Sequence, residues 1–94
     1  MSENPDPMEA LRGRFLARLA AERQALAESA EHGDRVTLRA ICHRIAGAGG
    51  MFGFPELSRL ASEIEERIEA GVSVGEIAPS IAQLLAEIKL TLAA

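Results

Sequence analysis

His43 heads the run Cys42-His43-Arg44-Ile45-Ala46-Gly47-Ala48-Gly49-Gly50, in which an imidazole is followed closely by three glycines. Inside a helix each glycine costs roughly 1 kcal/mol relative to alanine, so a chain this rich in alanine and leucine accepts that loss for a reason. A neutral imidazole is a competent nucleophile at cellular pH. On its own helical stripe, however, no serine, cysteine or carboxylate completes a triad, and no GxxxxGK loop is present to hold a nucleotide. A lone exposed nucleophile can still carry a group when a partner brings the rest of the active site. The pattern therefore reads as a carrier, in contrast to a self-sufficient enzyme.

The elements that must position His43 follow from punctuation and periodicity. Asp6-Pro7-Met8-Glu9 reads as a helix start, with Asp6 as N-cap and Pro7 in the first turn. Leu11, Phe15, Leu19 and Leu26, with Leu16 and Ala30 alongside, predict an apolar stripe down to about Glu31 before Gly33 ends the helix. Asp34 caps a second helix whose inward positions are Leu38, Ile41, Cys42, Ile45 and Gly49. Gly53-Phe54-Pro55 breaks the chain, and Pro55 opens a third helix carrying Leu57, Leu60, Ala61, Ile64 and Ile68 until Ala70-Gly71. The fourth starts between Ser73 and Pro79, with one loose turn before Pro79, and runs through Ile81, Leu84, Leu85, Ile88 and Leu92. Four amphipathic helices with short connections predict an all-α, antiparallel up-down-up-down four-helix bundle, a single domain over residues 1–94 with a flexible N-terminus at 1–5.

At about 100° per residue, the inward wedge of the second helix leaves His43 about 140° from its centre, facing solvent. Arg39 lies one turn before it, Ala46 and Gly47 one turn after, and Gly50 two turns after. Gly47 and Gly50 thus clear the surface for another backbone to approach the imidazole. Gly49 points inward, where its task is close packing between helices.

Composition narrows the partners. Trp and Tyr are absent and Phe occurs three times, which disfavours stacking on single-stranded nucleic acid. The net charge is −4, unevenly spread: seven arginines face five acids from Met8 to Gly50, and three bases face seven acids from Met51 onward. The first half is where an acidic partner would be met. The single Cys42 excludes an internal disulfide and falls short of the three or four ligands that a zinc site needs. No apolar run reaches membrane-spanning length and the N-terminus lacks a signal-peptide pattern, which predicts a cytoplasmic protein that does not enter the membrane.

CHRIAGAGGMFGFPELSRLASEIE resembles the signature of histidine-containing phosphotransfer (HPt) domains of multistep two-component signalling. His43 is followed by aliphatic Ile45, Gly47, the small Ala48 and Gly49, apolar Phe52 and Gly53, in the family's order. The resemblance implies that His43 accepts a phosphoryl group through Nε2 from the aspartyl phosphate of a response-regulator receiver domain, such as that of a hybrid histidine kinase. The group then passes to a second receiver. Mg²⁺ would sit on the receiver, leaving this chain without a metal or cofactor of its own. Where the family carries lysine three residues after the histidine, this chain has Ala46. Arg39 is the substitute that geometry favours, and Arg44, about 100° round the helix, would have to reach. Arg39, Arg44, Ala46, Gly47 and Gly50 are accordingly the expected phosphate- and partner-binding positions, on a monomer.

Other features have plainer readings. His32 suits the end of the first helix, and Cys42 is a small core residue. Arg12, Arg14, Arg18 and Arg23 form a solvated face, with the part beside the second helix available to a docking receiver. Met51, Phe52 and Phe54 cap the core at the turn, any exposed remnant serving as an apolar anchor. The rival function is a helical adaptor that binds receivers or kinases without accepting phosphate; a nucleic-acid-binding bundle fits the charge distribution poorly.

Overall fold

A computed structural model describes residues 6–94; the flexible segment expected at 1–5 lies outside the described residues. Four helices follow one another, α1 (Pro7–Glu31), α2 (Arg35–Met51), α3 (Pro55–Glu69) and α4 (Ala78–Ala93), with no strand among the described residues. Each boundary has a local cause. The Asp6 carboxylate accepts the Met8 N–H at 3.0 Å, and Pro7 opens α1. Gly33 ends that helix at φ +64°, a conformation that disfavours a Cβ. Asp34 then accepts the Thr37 N–H at 3.1 Å, and hydrogen bonding from Thr37 holds its carboxyl below its ordinary value. This cap therefore weakens as the pH falls through that lowered value. Pro55 begins α3 after Gly53 turns the chain at φ +82°. Turns at 74–77 precede Pro79, which sits in the first turn of α4.

The helices pack α1 on α2 and α4, and α3 on α2 and α4, around one apolar cluster. All five inward positions expected on α2, Leu38, Ile41, Cys42, Ile45 and Gly49, are buried, as are the five on α3. Each fully buried leucine or isoleucine contributes roughly 1.5–3 kcal/mol, so these stripes hold the helices together. Two expected core positions fall outside it: Leu11 is 44% exposed and Leu92 38%. The reason is length. With 25 residues against 17 in α2, α1 begins two turns before its first buried residue, Phe15, and Leu92 stands in the last turn of the chain. Ile77, in the loose turn expected before Pro79, is fully buried and adds to the core an apolar residue that the periodicity of the fourth helix had not included.

Of the helix pairs, α2 and α3 pack most extensively. Arg35 donates to the Val72 and Ile68 carbonyls at 2.6 and 2.7 Å, closing the end of α3 from the start of α2. The Ser58 hydroxyl donates to the Ala46 carbonyl at 2.8 Å. Beyond the Ser58 tie, where α3 begins, Gly49 lets the helices approach: a Cβ there would lie 3.2 Å from the Ser58 nitrogen and 3.3 Å from the Phe54 oxygen. Those two atoms form a hydrogen bond in the first turn of α3 and cannot give way independently. Gly49→Ala is therefore expected to destabilise the fold by about 1–2 kcal/mol despite alanine's better propensity. Gly47→Ala, where a Cβ meets nothing within 4 Å, should stabilise it by up to about 1 kcal/mol. Urea midpoints of the two variants should shift in opposite directions; shifts of the same sign would show that Gly49 does not set the helix separation.

Candidate functional site

His43 is carried on the outer face of α2 because the helix buries Ile41, Cys42 and Ile45 on its other side. Its side chain is 74% exposed. Cys42 is fully buried beside it, and burial, with smaller contributions from Glu65 and Glu22, pushes its thiol up from 9.0 to about 12. The thiol is thus inert beside an accessible imidazole. Alkylation of the native chain at pH 8 should run at least ~10³-fold slower than in the guanidine-unfolded chain; comparable rates would show the thiol to be accessible. Stability should also fall as the pH rises from about 9 towards 12, because there only the unfolded chain gives up the proton.

The imidazole is not alone, although its own helical stripe offers it no partner. Glu65 reaches across from α3 and places Oε2 2.8 Å from His43 Nδ1. A carboxylate accepts, so Nδ1 carries the hydrogen and donates it, and the lone pair is left on Nε2. Glu65 is itself only 15% exposed on its side chain, held at the edge of the apolar stripe. The ring is thereby fixed in tautomer and direction, with its nucleophilic nitrogen directed away from α3. A signal was present in the sequence: Glu65 follows core residue Ala61 by one turn, so a carboxylate interrupts the edge of an inward stripe. Its partner could not be read without knowing how α3 sits on α2.

The remaining expected residues divide in two. Ala46 is half-buried beneath the Ser58 contact, while Gly47 and Gly50 are exposed. Beyond Gly47 there is open space, and a Cβ at Gly50 would meet only the Ser58 hydroxyl, at 3.6 Å. The surface beyond His43 is bare, as its spacing suggested. Both arginines, in contrast, are already engaged. Arg39 donates to Glu69 on α3 at 3.0 and 3.2 Å, and Arg44 makes a forked pair with Glu22 on α1 at 3.0 and 3.2 Å. Arg39 and Arg44 therefore flank His43 from opposite sides, one drawn to each neighbouring helix. The Arg39–Glu69 pair, half-exposed on both sides, is worth about 1 kcal/mol or less, so a phosphoryl group could compete for that guanidinium; the forked pair of Arg44 with Glu22, whose side chain is only 12% exposed, is held more firmly.

At the turn after α2, Phe52 and Phe54 pack on Phe15 with ring centroids 5.6 and 5.7 Å apart, while Met51 stays 65% exposed. His32 ends α1 with Nδ1 3.1 Å from the Glu28 carbonyl and lies apart from the site. No helix among the described residues is long and apolar enough to cross a membrane.

An accessible nitrogen nucleophile, oriented from behind and set in a cleared surface, can attack an electrophile that another molecule presents. Comparison with known proteins agrees with that chemistry: the Hpt domain family model matches residues 10–94. No curated protein and no solved structure matches the chain.

Proposed function

Because the chain belongs to the Hpt domain family, whose members act in histidine phosphotransfer, we propose that it relays a phosphoryl group between receiver aspartates through phospho-His43. The observation that carries this reading is the imidazole, 74% exposed, whose Nδ1 is held by Glu65 while Nε2 has no hydrogen-bond partner among the described residues. In the transfer, the Nε2 lone pair forms the N–P bond as the P–O bond to the donor's aspartyl carboxylate breaks, and the electron pair leaves with that carboxylate. Nδ1 keeps its proton, so the ring becomes positive as the bond forms. The Glu65 carboxylate faces that charge. Onward transfer reverses the same steps on a second receiver.

The receiver contributes the acidic pocket and magnesium ion on its side of the reaction, and this chain supplies orientation and access. Arg39 or Arg44 takes over the phosphoryl contact that Ala46 cannot make, by exchanging a carboxylate partner for phosphoryl oxygens. The helices run up-down-up-down; the ties from Arg35 to Ile68 and Val72 and from Ser58 to Ala46 support opposite directions for α2 and α3. Incubation with a phosphorylated receiver tests the proposal. Label should appear on this chain, survive alkali and be lost in acid. Binding without label would favour the adaptor, a reading that draws on Ala46 and on the prior pairing of both arginines.

A further inference from the structure

On the premise that receivers are the partners, the geometry points to a specific docking face: the receiver seats across α1 and α2, over Leu11, Arg14, Arg18 and Met51, and away from α3. His43 lies between two unlike rims. On the α3 side stand Glu65, held to His43, and Glu69, held to Arg39, with Glu66 on the outer face of the same helix. An acidic phosphorylation pocket is repelled there.

The α1 rim is of opposite character. Arg18 and Glu22 line the cleft that faces Arg44 and Ala48 of α2. Arg14 and Leu11 precede Arg18 by one and two turns and so continue the same edge. Glu22 is spent on Arg44, whereas Arg14 and Arg18 are exposed and carry no ion pair among the described residues. The other two arginines do not share this edge: Arg23 lies one turn before Ala27 and two before Ala30, which line the groove towards α4, and Arg12 keeps that side.

The overhanging start of α1 adds apolar surface at the same place. Leu11 is 44% and Met51 65% exposed, and both stand at the end of the bundle where Phe15 meets Phe52. Met51 lies about 12 Å along the helix axis from His43, a reach that one small transient interface covers. Gly47 lies between, without a side chain to obstruct it. Nε2, turned away from Glu65 and α3, therefore opens onto a path flanked by cationic and apolar groups.

Two measurements with one probe test this: the isolated receiver domain, taken from a panel, that binds or labels the chain best. In amide-shift titrations of the full chain, its unphosphorylated form should perturb residues 11–18 and 43–51 and spare 62–69. In transfer from its phosphorylated form, the Arg14→Glu/Arg18→Glu double variant should lose about tenfold or more in second-order rate at low salt, with the deficit shrinking as salt screens it. Glu66→Lys should change the rate less than threefold. Perturbation centred on 62–69, wild-type transfer by the double variant, or no binding by any receiver overturns the inference. Binding at 11–18 without label on His43 would leave the docking face standing and overturn the relay alone.

Discussion

His43→Gln is expected to fold as the native chain does and to carry no phosphoryl label. The side chain is 74% exposed and contacts only the neighbouring carboxylate among its hydrogen-bond partners, so its replacement should move stability by no more than about 1 kcal/mol. Glutamine keeps length and polarity but has no nucleophilic lone pair on nitrogen. Transfer should fall by at least ~10³-fold, to the limit of detection. Circular dichroism and a urea titration on the same sample separate loss of chemistry from loss of fold. Label persisting on the variant would place the acceptor elsewhere and remove the foundation of the relay.

Glu65 carries the second large effect, and it is divisible. The carboxylate does two things: it accepts the Nδ1–H at 2.8 Å, which fixes the tautomer, and it faces the positive charge that the ring acquires as Nε2 bonds to phosphorus. Glu65→Gln preserves an acceptor oxygen and removes the charge. Glu65→Ala removes both. A charge-assisted hydrogen bond is worth about 1.5–3 kcal/mol, so the glutamine variant should transfer about tenfold slower and the alanine variant up to ~10²-fold slower. Receiver binding should hold in both, since neither variant alters the Arg14–Arg18 edge. Single-turnover transfer at saturating receiver separates the two effects: a deficit that disappears at saturation would make Glu65 a docking residue and not a positioning one.

The two predictions together explain why an imidazole without a partner on its own helix can still be activated. The helix supplies exposure and clearance, and the neighbouring helix supplies direction. Gly47 and Gly50 keep the approach open, while Gly49 sets how closely α3 can bring its carboxylate. Packing and chemistry are thereby linked through the stretch from His43 to Gly50.

The sequence by itself determined the number of helices, the starts of the first three, and the buried face of α2 and α3, while it bracketed the start of α4 only between Ser73 and Pro79. These are local properties: a cap such as Asp6 or Asp34, a proline at a first turn, and apolar residues at helical spacing act within a few residues of chain. The outward direction of His43 was legible for the same reason, since it depends only on the wheel of its own helix. Only the tertiary structure decided which residues meet between helices: Glu65 on His43, Glu69 on Arg39, Glu22 on Arg44. It also decided that Leu11 overhangs the core it was expected to join. Periodicity fixes the face a helix presents but not its axial offset or rotation against a neighbour, and a shift of one turn, about 5.4 Å, would have given the imidazole a different partner.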